Sequence, residues 1–105
     1  MLEIHGVMLE VVGLLRPVLE QIGRFDGDLE SQAWRSATSV VLNVAEGSGA
    51  RGKNRGARYS IALSEARETM SCLQVAMAFG YIDRVDENIA RRMHRVIGTL
   101  VRVSR

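Results

Sequence analysis

The sequence predicts an all-α protein, an antiparallel four-helix bundle with up-down-up-down topology. Four segments carry apolar residues at alternating spacings of four and three, which places them on one face of a helix. Short stretches containing glycine and aspartate separate these segments and act as breaks. A chain of 105 residues has room for one core, so we predict a single domain over residues 1–105.

The first predicted helix runs to about Arg24. Its apolar stripe is Ile4, Met8, Val11, Leu15, Val18 and Ile22. Pro17 lies within the stripe and has no backbone N–H, so it deletes the hydrogen bond to the carbonyl of Gly13. We therefore expect a bend near the middle of this helix.

The second predicted helix follows the break FDGD, with Asp28 as its N-cap. Its stripe is Trp34, Ala37, Val41 and Val44, and we predict that it ends at Gly47. The segment from Gly47 to Gly56 contains four glycines and three cations, a composition typical of a loop.

The third predicted helix carries the stripe Tyr59, Leu63, Ala66, Met70, Leu73 and Met77. It runs to about Phe79, and Gly80 is its predicted C-terminal cap. Asp86 then caps a fourth helix with the stripe Ile89, Met93, Val96, Leu100 and Val103. Further apolar residues flank the stripes and indicate either a broad core or a second buried face used in self-association: Val7, Leu14, Val40, Ile61, Ile97 and Val101.

The net charge of +2 says little about a partner, so the distribution of charge has to carry that argument. In the predicted topology, the first and third connections meet at one pole, which collects the acids Asp26, Asp28, Glu30, Asp83, Asp86 and Glu87 against Arg24 and Arg84. The second connection shares the other pole with the end of helix four. Cations collect there against Glu3, Glu10 and Glu46, namely Arg51, Lys53, Arg55, Arg58, Arg95, Arg102 and Arg105.

The cations around the second connection suggest an anion-binding site. A helix dipole disfavours positive charge at the helix N-terminus, so helix stability does not account for Arg51, Lys53, Arg55 and Arg58. A glycine-rich segment with several cations, followed by a helix N-terminus, can bind the phosphate backbone of a nucleic acid. A solvated surface loop is the alternative interpretation.

The motifs for catalysis and metal binding are incomplete in this sequence. Gly47, Gly52 and Lys53 fit G-x-x-x-x-G-K, but Asn54 replaces the hydroxyl residue, and a helix instead of a strand precedes the segment. His5 and His94 lie far apart and have no partner spacing for a metal, and Cys72 reads as a small buried residue. We therefore predict no enzymatic activity, no catalytic residue, no metal and no cofactor.

The location predicted from the sequence is cytoplasmic. No cation precedes Arg16, so the N-terminal residues lack the cationic start of a secretory signal. The single cysteine indicates a reducing compartment. No apolar run reaches the roughly 20 residues that a membrane-spanning helix needs, so we predict no membrane association.

The junction of helices two and three resembles a known family. The segments that carry the resemblance are Arg35-Ser36-Ala37-Thr38-Ser39-Val40, Asn43-Val44-Ala45-Glu46-Gly47 and Tyr59-Ser60-Ile61-Ala62-Leu63-Ser64. They are similar to the four-helix-bundle proteins encoded in 23S ribosomal RNA intervening sequences, a family that includes accessory proteins of diversity-generating retroelements. The resemblance covers about Val7 to Arg102. The chain departs from the common S-I-P-A-N pattern by reading Ser39-Val40-Val41-Leu42-Asn43, without the proline.

The resemblance implies a bundle that assembles into a ring-like homo-oligomer, typically a pentamer, with affinity for RNA, DNA or a reverse transcriptase. It also implies a structural role, at the helix 2–3 turn or a subunit contact, for Asn43, Glu46, Gly47 and Glu68. Our first hypothesis is an oligomeric nucleic-acid-binding accessory protein that contacts the phosphate backbone. The alternative is a protein-interaction scaffold that docks a partner protein such as a reverse transcriptase.

Overall fold

A computed structural model describes residues 2–105 and consists of four α-helices joined by three connections. The helices are α1 (Ile4–Gly23), α2 (Gly27–Gly49), α3 (Lys53–Ala78) and α4 (Glu87–Val103). Helices α2 and α3 are the longest, and the bundle measures 43 × 24 × 19 Å. The predicted all-α four-helix bundle is confirmed, since the described residues contain no strand.

Contacts between helices show that neighbours run antiparallel. The buried hydroxyls of Ser36 on α2 and Thr69 on α3 are hydrogen-bonded at 2.8 Å, while Glu46 and Arg58 pair nearer the α2–α3 connection. Helices α1 and α4 close the bundle through two ion pairs, Arg92–Glu10 at 3.1 Å and Arg95–Glu3 at 3.0 Å. The α1–α4 contact brings the start of the chain beside the second half of α4.

The core confirms the predicted stripes of α1 and α4 and corrects those of α2 and α3. On α1 only Val18 of the stripe is partly exposed, with Leu19 buried beside it, and on α4 only Val103 of the stripe is partly exposed. On α2 and α3 five predicted core positions are only half-buried or are exposed, namely Trp34, Val41, Leu63, Met70 and Met77. Smaller residues are buried there instead, namely Ala33, Ser36, Ala62, Thr69, Cys72 and Ala76.

The predicted N-cap of α2 was wrong by two residues. The Oδ1 atom of Asp26 accepts a hydrogen bond of 2.9 Å from the backbone N–H of Leu29, so Asp26 is the cap and Asp28 lies in the first turn. The backbone of Asp26 is extended, as an N-cap requires. The prediction for α4 is confirmed, because Oδ1 of Asp86 accepts at 2.7 Å from the N–H of Asn88.

The α2–α3 connection is much shorter than the predicted loop from Gly47 to Gly56. Helix α2 continues through Gly47 to Gly49, and α3 begins at Lys53, which leaves only Ala50, Arg51 and Gly52 between them. Gly52 is the N-cap of α3 and has a φ of 57°. Two of the three cations assigned to this loop, Lys53 and Arg55, therefore lie on the first turn of a helix, where the backbone fixes their directions.

Helix α3 ends in a Schellman motif at the predicted glycine. Gly80 has a φ of 79°, its N–H donates to the carbonyl of Met77 at 3.0 Å, and the N–H of Tyr81 donates to the carbonyl of Ala76 at 2.8 Å. A side chain is disfavoured at this φ because its Cβ crowds the backbone.

We expect Gly80→Ala to lower the free energy of unfolding by about 1–2 kcal/mol, the usual penalty for a non-glycine residue in the left-handed region. Urea denaturation followed by circular dichroism measures the change. Gly13→Ala is the control, because a Cβ at Gly13 meets nothing within 4 Å. Equal stability of the two variants would contradict the cap.

Candidate nucleic-acid interface

Three predicted cations line one open groove at the pole that holds the α2–α3 connection. Lys53 and Arg55 reach it from the first turn of α3, and Arg105 reaches it from the end of the chain. The groove has a volume of about 440 Å³, and its remaining lining consists of Gly52, Gly56, Ala57, Ser60, Val103 and Ser104. No Asp or Glu side chain lines it. The predicted meeting of this connection with the end of helix four is confirmed.

Glycine at two positions shapes the groove. A Cβ at Gly56 would lie 3.9 Å from the carbonyl oxygen of Ser104, so the end of the chain packs directly against the second turn of α3. Gly52 provides no side chain to cap α3, so no side chain neutralises the positive end of the helix dipole. The Nε atom of Arg55 donates to the carbonyl of Ala50 at 3.1 Å, which holds this guanidinium against the connection.

Arg58 lies outside this groove and is neutralised. Its Nη2 atom is 3.1 Å from Oε2 of Glu46, and its Nη1 atom donates to Oδ1 of Asn43 at 3.4 Å. The side-chain amide of Asn43 in turn donates to the carbonyl and the hydroxyl of Ser39 on its own helix. Arg58 therefore ties α3 to α2 and is a weak candidate for phosphate contact.

The other predicted cations are dispersed. Arg95 is paired with Glu3, so its charge is offset. Arg102 is exposed, and its guanidinium donates to the hydroxyl of Thr99 at 3.3 Å. Arg51 is exposed in the connection next to the groove. The structure thus brings together Lys53, Arg55 and Arg105 out of the seven predicted residues.

The four residues to which the resemblance gives a structural role, Asn43, Glu46, Gly47 and Glu68, divide into two groups. Asn43 and Glu46 hold Arg58 from α2, and Gly47 leaves room for the ring of Tyr59 on α3, whose Cδ1 would lie 2.8 Å from an added Cβ. These three residues join α2 to α3 near the connection. Glu68 lies on α3, ten residues beyond Arg58, and takes no part in this junction.

Comparison with known proteins assigns the chain to a family. The family profile described as 23S rRNA-intervening sequence protein matches residues 19–102. The chain belongs to this family. The match contains the α2–α3 junction and two of the three cations of the groove, Lys53 and Arg55, while Arg105 lies outside it.

One solved structure has the same fold as this chain. It is the crystal structure of a protein with unknown function from the S23 ribosomal protein family of Bacteroides thetaiotaomicron VPI-5482. The alignment has 21% sequence identity and a TM-score of 0.82, and it covers 97% of this chain and 98% of that chain. At this identity the likeness concerns the fold. A comparison with curated proteins found no match.

Two groups in this family member have shifted pKa values, and both lie on α3. Burial and the neighbouring carboxylate of Glu68 raise the pKa of Glu65, while Arg35 acts in the opposite direction. Burial, and then Glu68, raise the pKa of the Cys72 thiol. A raised pKa keeps the thiol protonated at neutral pH, which makes it a poor nucleophile. Neither group lines the basic groove.

Residues 2–105 offer neither a metal-binding cluster nor a membrane-spanning helix. No group of three or more His, Cys, Asp or Glu side chains is placed to hold a metal ion. None of the four described helices combines the length and the apolar composition needed to cross a membrane.

The sequence reasoning missed the two serines of the groove, Ser60 and Ser104. Their hydroxyls add hydrogen-bonding groups next to the cations. Ser60 lies seven residues after Lys53, two helical turns along the same side of α3, so a helix starting at Lys53 would have revealed it. The loop interpretation of this stretch removed that signal.

Proposed function

We propose that this chain is an oligomeric accessory protein that acts by binding nucleic acid and not by catalysis, and that its basic groove contacts the phosphate backbone. The observation that carries the proposal is the convergence of Lys53, Arg55 and Arg105 on one groove that no Asp or Glu side chain lines. None of these three charges is buried or forms an ion pair within residues 2–105. The three cations therefore repel one another, and a bound phosphate would relieve that repulsion.

The lining of the groove favours the backbone over the bases. No aromatic side chain lines the groove, so the stacking contacts that bind single-stranded bases are missing there. Cations and hydroxyls supply phosphate contacts, which carry no sequence information. We therefore expect binding that depends strongly on salt and weakly on sequence. The description of the family, 23S rRNA-intervening sequence protein, supports a relation to RNA.

Exposed apolar residues support the homo-oligomer. Leu42 on α2 is 57% exposed and Ile61 on α3 is 44% exposed, although Val7 and Val40 from the predicted second face are buried in the monomer core. A ring of subunits would cover such residues and present several basic grooves at once, which raises the effective affinity for a long polymer. Light scattering on the purified protein measures the subunit number.

A protein-interaction scaffold remains the second candidate. The observation that favours it is an open groove of about 410 Å³ on the outside of the α2–α3 pair, where Trp34 and Leu42 provide apolar surface. Recovery of a protein partner after nuclease treatment, together with no binding of RNA or DNA by the purified chain, would favour the scaffold.

Neutralising the groove tests the nucleic-acid proposal. We expect the triple variant Lys53→Gln, Arg55→Gln and Arg105→Gln to bind RNA and duplex DNA about tenfold more weakly, or worse, because each phosphate contact releases a counterion. Fluorescence anisotropy with labelled 20-nucleotide RNA and 20-base-pair DNA, in 50 mM salt, measures the affinity.

The matched control removes the same number of charges elsewhere. Arg24, Arg67 and Arg91 are exposed and lie outside the groove, so their triple Gln variant has the same net charge. It should keep most of the affinity. Equal losses in the two variants would show a response to net charge only and would remove the groove from the site.

A further inference from the structure

A stacked aromatic cluster lies at the pole opposite the basic groove. It contains three of the five aromatic residues of the chain, namely Phe25, Phe79 and Tyr81. The rings of Phe25 and Tyr81 have centroids 5.1 Å apart and an interplanar angle of 7°, and those of Phe79 and Tyr81 are 5.4 Å apart at 19°. The cluster joins the α1–α2 connection to the α3–α4 connection.

The backbone holds this aromatic cluster in place. The left-handed conformation of Gly80 directs the chain from Phe79 into Tyr81, and the side-chain amide of Gln21 donates to the carbonyl of Tyr81 at 2.9 Å. Phe25 follows the last turn of α1, where its N–H donates to the carbonyl of Ile22 at 2.9 Å. All three rings are therefore attached to ends of helices, so a ligand would meet a largely preformed surface.

The outer two rings are more exposed than a purely structural role requires. Phe25 is 61% exposed and Phe79 is 68% exposed, the two highest values among the large apolar residues that are exposed. Stacking on Tyr81 buries only part of each ring. Phe25 and Phe79 both stack on Tyr81, so the three rings form one exposed aromatic patch, and exposed apolar patches mark contact surfaces.

The charge around the cluster selects the kind of ligand. Six carboxylates lie on the two connections and the helix starts beside them, and none forms an ion pair within residues 2–105: Asp26, Asp28, Glu30, Asp83, Asp86 and Glu87. Only Arg24 and Arg84 oppose them at this pole. The resulting negative potential repels phosphates, so the aromatic rings are unsuited to stack nucleobases, and it attracts cations.

We infer that this aromatic cluster binds an arginine-bearing segment of a partner protein, with guanidinium groups on the rings of Phe25 and Phe79 and carboxylates such as Asp26 and Asp83 beside them. Arginine fits better than lysine because its planar guanidinium stacks on aromatic faces and is weakly hydrated. The site is independent of the basic groove, which lies at the other pole and takes the opposite charge.

A synthetic peptide of alternating glycine and arginine, labelled with fluorescein, is the probe. We expect it to bind the unaltered protein more tightly than the same peptide with citrulline, a neutral analogue of arginine. The variant Phe25→Leu with Phe79→Leu keeps apolar side chains but removes both rings. It should weaken binding about five- to twentyfold, given two cation–π contacts at exposed positions.

Leu9→Ala provides the control, because Leu9 is an exposed apolar residue of α1 that lies away from the cluster. It should leave peptide affinity unchanged, and circular dichroism should show that the double leucine variant remains folded. Unchanged affinity in the double variant, equal binding of the citrulline peptide, or no arginine-peptide binding at millimolar concentration would each overturn the inference.

Two further outcomes would replace the proposed ligand. If the double leucine variant reduces the mass measured by light scattering, the occupant is a second copy of this chain. If that variant loses affinity for single-stranded RNA while the groove variant does not, the rings stack bases. Either result would overturn the assignment to a partner protein.

Discussion

Leu100→Ala should destabilise the protein more than any other single change proposed for it, by about 2–5 kcal/mol. The side chain of Leu100 is fully buried on the last turn of α4. Its removal takes apolar surface out of the core and leaves a cavity that the surrounding helices fill only in part. Urea denaturation monitored by circular dichroism at 222 nm measures the loss.

The matched control for this change is Leu9→Ala, since Leu9 is 51% exposed. We expect it to alter stability by no more than about 0.5 kcal/mol. Leu100 also anchors the turn that carries the end of the chain towards α3. The Leu100→Ala variant should therefore lose nucleic-acid affinity together with its fold, and similar stability of the two leucine variants would contradict the core as described.

Gly47→Ala should lower the free energy of unfolding by about 1–3 kcal/mol, even though alanine is the better helix former. Gly47 is buried in the last part of α2, and an added Cβ would overlap Cε1 and Cδ1 of Tyr59. Tyr59 is only 4% exposed, so its ring has little room to move. The helices would have to separate where Glu46 pairs with Arg58.

Gly49→Ala is the control for this substitution, because Gly49 lies in the same last turn of α2 and a Cβ there meets nothing within 4 Å. That change should stabilise the protein by about 0.5–1 kcal/mol through helix propensity alone. The two substitutions, two residues apart, should change the free energy of unfolding in opposite directions, which tests the packing of Tyr59 directly. A stabilising effect of Gly47→Ala would show that the ring moves freely.

The sequence was sufficient for α1 and α4 because large apolar side chains define their buried faces. Helices α2 and α3 pack closely on each other through small residues, such as Ala33 and Ala62, and through the Ser36–Thr69 hydrogen bond. A search for large apolar residues passes over such a face. It therefore assigned Trp34 and Met77 to the core, although Met77 is 42% exposed.

The α2–α3 connection was mispredicted because its glycines do different things. Gly47 lies inside a helix to admit the ring of Tyr59, and Gly56 lies inside a helix against the carbonyl of Ser104. Only Gly52 has the positive φ of a turn in this stretch. Composition cannot separate these cases, since the neighbours that explain Gly47 and Gly56, Tyr59 and Ser104, are distant in sequence.

The candidate site was predictable from the topology of the bundle but not from the register between its helices. Topology alone places the α2–α3 connection and the end of α4 at one pole, and this much the sequence supports. The pairing of Arg58 with Glu46 and of Arg95 with Glu3 depends on the register between helices, which the periodicity leaves open. Those pairs remove two of the seven predicted cations, and Arg51 and Arg102 do not line the groove, which leaves three that share it.

The salt dependence of RNA binding tests the central claim most directly. Affinity measured between 50 and 200 mM salt gives the slope of log K against log salt, which reports the number of phosphate contacts. For single-stranded RNA each contact contributes about 0.7. If Lys53, Arg55 and Arg105 contact phosphates, the triple Gln variant should have a slope shallower by about 2 than the unaltered protein. Identical slopes in the two proteins would contradict the account.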